Sequence, residues 1–117
     1  MTGERRILLV EDDVLIGMML ADMFDALDLP EPAQATTNEA ALAFIASEPI
    51  AGALVDINLG DEKGWPIADA LAQRGIPFAF TTGGGDVIPP AHAHRKLITK
   101  PFRISDIEAT LEEFGAE

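Results

Sequence analysis

Four short apolar runs, each closed by polar residues of a different kind, constrain this chain more than any other feature. Ile7-Leu8-Leu9-Val10 runs into Glu11-Asp12-Asp13, and Ala51 to Val55 runs into Asp56. Pro77-Phe78-Ala79-Phe80 runs into Thr81-Thr82, and Leu97-Ile98 into Thr99-Lys100-Pro101. Unbroken apolar runs of this length read as strands covered on both faces. A weaker strand is expected at Ala33 to Thr36.

The stretches between them carry helical spacing. From Val14 to Leu27 the apolar positions Ile16, Met19, Leu20, Met23 and Leu27 repeat at three and four, and Leu29-Pro30 closes the segment. Thr37 or Asn38 can cap a second helix through Ala40, Leu42, Phe44 and Ile45, with Pro49 just beyond it. Gly60 to Gly64 reads as a loop. Pro66 suits the first turn of a third helix, with Ile67 and Leu71 on its apolar face and an end near Gly75. Ser105 opens, or lies early in, a last helix through Ile107, Leu111 and Phe114.

One connection breaks the rule. Gly84, Gly85, Pro89 and Pro90 stand where a fourth helix should form. Glycine costs about 1 kcal/mol and interior proline about 3 kcal/mol relative to alanine in a helix. Only Val87 and Ile88 offer apolar anchorage there, so Gly84 to Arg95 is expected to be short, irregular or mobile. The alternation still predicts an α/β fold, a doubly wound five-stranded parallel sheet with helices on both faces.

Composition removes several functions. The net charge of −12 argues against nucleic-acid or anionic-membrane binding, both of which need clustered Lys and Arg. With no cysteine there is neither a disulfide framework nor a Cys-based zinc site. The basic start, Met1 to Arg6, is followed by an apolar run too short for a signal peptide, and no stretch of about 18 apolar residues follows. A cytoplasmic protein of one domain is expected.

In an open α/β sheet, ligands sit beyond the carboxyl ends of the strands, where strand order reverses. That rule gathers Glu11, Asp12, Asp13, Asp56, Thr82 and Lys100 into one crevice. Carboxylates so close repel unless a cation intervenes, and oxygen ligands without Cys or nearby His suit Mg²⁺. A carboxylate can act as nucleophile in phosphoryl transfer, with Lys100 and Thr82 each available to one phosphoryl oxygen. Gly83 leaves room beside Thr82.

The runs Ile7 to Asp13, Leu54-Val55-Asp56-Ile57-Asn58-Leu59, Phe80-Thr81-Thr82-Gly83 and Ile98-Thr99-Lys100-Pro101-Phe102 resemble the four signatures of bacterial response-regulator receiver domains. They occur in order and span most of the chain. The resemblance implies a flavodoxin-like (βα)₅ receiver fold over residues 1–117, with a core from about 7 to 114 and no effector domain. By the same resemblance Asp56 is the phosphoryl acceptor, Thr82 the switch hydroxyl and Lys100 the phosphate-binding lysine. Asp12 matches a direct Mg²⁺ ligand, Glu11 one acting through water, and Asn58 the ligand that uses its backbone carbonyl. Asp13 matches no ligand, and Pro101 resembles the family's cis-proline.

Leu97 stands where receivers usually carry an aromatic residue three before the lysine. The run Pro77 to Gly84 resembles single-domain receivers with a Pro-Phe-x-Phe-Ala-Thr-Gly segment and a poorly formed fourth helix. That subgroup is associated with HWE or related histidine kinases. The implied function is a stand-alone response regulator, not an enzyme beyond its own phosphorylation and dephosphorylation. It would accept a phosphoryl group from a histidine kinase or phosphotransfer protein and would signal through a protein target, or act as a shuttle or sink.

Other features read blandly. The glycine run from Gly83 to Gly85 lacks the Gly-Lys-Ser/Thr ending of a P-loop. His92 and His94 lie in a Pro-rich segment without partner ligands and read as solvated loop residues. Trp65 reads as packing near the crevice, and Met18, Met19 and Met23 as helix packing with Met18 at the surface. A receiver-shaped interaction module is disfavoured by the intact acids. A haloacid-type phosphatase is disfavoured by Asn58, where that chemistry normally has a second acid.

Overall fold

Strands alternate with helices along the chain. The computed structural model describes residues 6–115, so the start of the chain and the outer limits of the expected domain lie outside it. In order these are β1 (Arg6–Val10), α1 (Val14–Ala26), β2 (Ala33–Ala35), α2 (Asn38–Ser47) and β3 (Ile50–Asp56). There follow β4 (Asn58–Leu59), β5 (Glu62–Lys63), α3 (Trp65–Gln73), β6 (Phe78–Thr82), β7 (Lys96–Thr99) and α4 (Ile104–Gly115). Between β6 and β7 the only helical feature is a 3₁₀ turn at Pro90–His92.

Five strands form one parallel sheet in the order β2-β1-β3-β6-β7. Successive side chains of a strand face opposite sides, and here each side meets its own helices. Leu8, Val10, Val55 and Phe80 pack with Ala41 and Ile45 of α2 and with Ile67, Ala68 and Leu71 of α3. Leu9, Leu54, Ala79 and Ile98 pack with Leu20 and Phe24 of α1 and Ile107 of α4. Burying each large side chain contributes about 1.5–3 kcal/mol, so the two layers dominate stability. The doubly wound flavodoxin-like fold stands, with four α-helices among the described residues and none between β6 and β7.

Local chemistry sets the helix starts. Asp13 has extended backbone and its carboxylate accepts from the N–H groups of Leu15 at 2.9 Å and Ile16 at 3.3 Å, capping α1. Thr37, rather than Asn38, caps α2 by accepting from the Ala40 N–H at 3.0 Å. Pro66 lies in the first turn of α3.

Several expectations need correction. The Gly60 to Gly64 region is not a plain loop, because β4 and β5 pair there as a small antiparallel hairpin. The buried stripe of α1 runs through Gly17, Leu20 and Phe24, whereas Met19 is exposed. Phe24 escapes the spacing argument because the apolar positions of α1 run on to its solvent face, at Val14, Leu15 and Met18.

The segment between β6 and β7 is irregular as expected. Of its two expected apolar anchors Ile88 packs against the core, half-buried, and Val87 does not, while His92 supplies an anchor that the spacing did not show. Val87 is 89% exposed, while His92 is buried. The His92 ring stacks on Trp65 and meets Phe78 and Phe80 edge-on, and its Nε2 lies 2.7 Å from Asp69 Oδ1 on α3. His92 is therefore not a solvated loop histidine; aromatic partners from α3 and β6 enclose it. His94 is exposed. Among the described residues no helix is long and apolar enough to cross a membrane.

Candidate functional site

The sheet order decides which strand ends meet. Because β1, β3, β6 and β7 are neighbours and run parallel, their carboxyl ends open on one crevice. From β1 come Glu11 and Asp12, from β3 Asp56, from β6 Thr82 and from β7 Lys100. One carboxylate oxygen each of Glu11, Asp12 and Asp56 lies within 4.8 Å of the others. Glu11 and Asp56 are buried and Asp12 is exposed, so the cluster has a closed floor and an open mouth.

Each carboxylate is aimed by the backbone around it. Asp56 Oδ1 accepts from the Asn58 N–H at 3.1 Å, and Oδ2 accepts from Lys100 Nζ at 3.0 Å. Glu11 Oε2 accepts from the Asp13 N–H at 3.1 Å, and Asp12 Oδ2 from the Gly60 N–H at 2.8 Å. Asp13 uses its own carboxylate to cap α1. Gly64 admits no side chain: a Cβ there would lie 2.8 Å from the backbone oxygen of Asp56. The Lys100–Pro101 peptide is cis.

The electrostatics leave the cluster short of positive charge. Burial, and then its interaction with Asp56, push the Glu11 carboxyl from an ordinary 4.5 up to about 7. Burial pulls the Lys100 ammonium down, but Asp56 and Glu11 outweigh that and hold it above the ordinary value. Lys100 Nζ lies 3.2 Å from Glu11 Oε1, yet without hydrogen-bond geometry, so that oxygen is buried with no donor among the described residues. One ammonium thus faces three carboxylates, one of which carries an orphaned oxygen. An all-oxygen donor set of this kind fits a hard divalent cation such as Mg²⁺.

Thr82 is brought to the crevice but not to Asp56. Its Oγ1 donates to Asp86 Oδ2 and accepts from the Gly84 N–H at 2.9 Å. Asp86, Lys63 and Asn58 form a polar group that sequence reasoning missed. Asn58 Nδ2 donates to both Asp86 oxygens at 3.1 and 3.2 Å, Lys63 Nζ donates to Asn58 Oδ1, and Lys63 Nζ lies 3.5 Å from Asp86 Oδ1. The Thr82 hydroxyl first, and then Asn58, hold the Asp86 carboxyl below its usual range. The available signal was an acid four residues after Thr82, in a segment without periodicity to place it. Leu97 lies on edge strand β7 and is 44% exposed.

The same arrangement of strands recurs in solved structures. SdrG from Sphingomonas melonis Fr1 is 39% identical, with a TM-score of 0.82 over 97% of this chain and 98% of that one. SdrG in a BeF3-activated conformation, from Pseudomonas melonis Fr1, is 40% identical with a TM-score of 0.77, over 95% of this chain and 98% of that one. The PhyR response regulator REC domain of Erythrobacter litoralis is 31% identical, with a TM-score of 0.74 over 96% of this chain and 90% of that one. A CheY-like response regulator receiver domain protein from Methanospirillum hungatei JF-1 is 27% identical, with a TM-score of 0.81 over 95% and 93%. No protein-family model matches the chain, and no curated protein does. With relatives above 30% identity along nearly its whole length, and an acidic crevice at the strand ends, this chain belongs to the CheY-like receiver domains of two-component response regulators.

Proposed function

We propose that the chain is a phosphorylation switch in which Asp56 accepts a phosphoryl group from the phosphohistidine of a sensor histidine kinase or phosphotransfer protein. The observation that carries this reading is the Asp56 carboxylate itself, buried beside two other carboxylates and bonded at 3.0 Å to Lys100 Nζ. A carboxylate oxygen of Asp56 attacks phosphorus, the P–N bond breaks, and the imidazole nitrogen leaves with the electron pair. Lys100 takes one phosphoryl oxygen as a fixed positive charge, and Thr82 offers its hydroxyl to another. Asp12, Asp56 and the Asn58 carbonyl would hold Mg²⁺, with Glu11 acting through water. The ion would supply positive charge to the carboxylates and the incoming phosphoryl oxygens.

We further infer that residues 1–117 act as one receiver unit in the cytoplasm, signalling by protein contact or passing the phosphoryl group on. An HWE-type kinase fits the resemblance of the Pro77 to Gly84 run. The test is incubation with acetyl phosphate and Mg²⁺ followed by intact mass. The parent should gain one phosphoryl group and Asp56→Asn none, because an amide lacks the nucleophilic oxyanion. Equal labelling of Asp56→Asn would refute the assignment. Steady turnover of unrelated phosphomonoesters would instead favour a phosphatase.

A further inference from the structure

The proton of Thr82 is already committed in this structure. A hydroxyl has one proton to donate, and Thr82 gives it to Asp86 Oδ2 while its oxygen accepts from Gly84. Donation to Asp86 and donation to a phosphoryl oxygen on Asp56 therefore exclude one another.

Asp86 is not a loose surface acid that would yield freely. Its side chain is only 12% exposed, and two groups besides Thr82 define its position: Asn58 Nδ2, which contacts both carboxylate oxygens, and Lys63 Nζ at 3.5 Å. Asn58 and Lys63 face each other across the β4–β5 hairpin. The polar bridge therefore runs from that hairpin, through Asp86, to Thr82 at the end of β6.

We propose that Asp86 is a positioning residue that holds Thr82 in the resting orientation and so sets the balance between resting and phosphoryl-engaged forms. The inference rests on the reading of Asp56 as phosphoryl acceptor. A phosphoryl group must outbid Asp86 for the Thr82 proton, and every increment of Asp86–Thr82 affinity lowers the apparent affinity of the engaged form. When Thr82 turns, Asp86 loses a charge-assisted partner. The segment that carries it then remains held by Ile88, His92 and Arg95.

Beryllium fluoride, a phosphoryl mimic on an aspartate, provides the probe. Its affinity is measured by calorimetry at saturating Mg²⁺ for the parent, Asp86→Ala, Asp86→Asn, Thr82→Ala and the Thr82→Ala/Asp86→Ala double variant. Asp86→Ala is expected to bind about fivefold tighter than the parent, the scale of one hydrogen bond to a charged, partly exposed group. Asp86→Asn, nearly isosteric and safe for folding, should gain less because its amide oxygen still accepts from Thr82. In the Thr82→Ala background the Asp86→Ala gain should vanish, since no latch remains to release.

Equal affinities for the parent and Asp86→Ala would overturn the inference and leave the phosphorylation reading standing. An undiminished gain in the Thr82→Ala background would also overturn it, because Asp86 would then act only as a negative charge near an anion site. A parent that neither binds beryllium fluoride nor gains mass from acetyl phosphate removes the phosphorylation reading, and this inference with it.

Discussion

Two connections leave the central strands of this sheet, and they are held in opposite ways. The one after β3 passes through the hairpin into α3, a helix that buries Ile67, Ala68 and Leu71. The one after β6 has no α-helix, exposes Val87, and is held by the half-buried Ile88, by His92, by Arg95 over the Phe78 ring and by the Asp86 bonds. Non-directional apolar burial along a whole helix fixes the first, whereas Ile88, the buried His92 and a handful of directional contacts fix the second. The difference teaches where a change at the crevice can be felt. Directional contacts are lost one at a time by a small rotation, whereas a packed helix yields only with its core.

The largest expected effect tests the rigid side. Leu71→Ala should cost about 2–5 kcal/mol, read as a lowered urea midpoint, because it opens a cavity between α3 and the sheet. A change under about 1 kcal/mol would show that α3 is not the fixed partner in this comparison.

A comparable effect comes from the crevice that both connections border. Glu11 binds its proton more tightly folded than unfolded, with a carboxyl raised from 4.5 to about 7 by burial and then by Asp56. Its contribution is fully present below pH 4.5 and is lost as pH rises towards and through 7, when the buried carboxyl must ionise. The amount is on the order of 3 kcal/mol. In chelator, the Glu11→Gln variant should therefore gain on the parent as pH rises from 5 to 8. Addition of Mg²⁺ should raise the parent's unfolding temperature more at the upper end. A difference between parent and variant that stays flat with pH would show that Glu11 does not carry this proton.

The smallest effect is on the segment itself. His92→Ala removes an aromatic partner and the Asp69 contact, yet it can cost globally only what the segment contributes, about 1–2 kcal/mol. Amides from Gly84 to Arg95 should exchange much faster while those of α3 keep their protection. Equal acceleration in both regions, or a loss as large as that of Leu71→Ala, would merge the two regions into one cooperative unit.

Much of this was readable from residue order. The runs ending at Val10, Val55 and Phe80 announce buried parallel strands, since no alternating surface pattern interrupts them. A parallel sheet then obliges Glu11, Asp12, Asp56, Thr82 and Lys100 to share one end. Glycine and proline between residues 84 and 90 exclude a regular helix by backbone chemistry alone, and no tertiary contact is needed for that conclusion. The hairpin at Asn58 to Lys63 was not readable, because two-residue strands carry no period.

What the tertiary structure alone decided are the partners of groups whose chemistry allows several. A histidine in a Pro-rich stretch is equally at home in water, and only the juxtaposition of Trp65, Phe78, Phe80 and Asp69 turns His92 into an anchor. An acid in a glycine-rich turn has no period to place it, and only the approach of Asn58, Lys63 and Thr82 makes Asp86 a structural acceptor. Apolar periodicity is a local property of the chain and survives in its sequence. Hydrogen-bond partnership between residues such as Asn58 and Asp86, far apart along the chain, is created only when the strands come together.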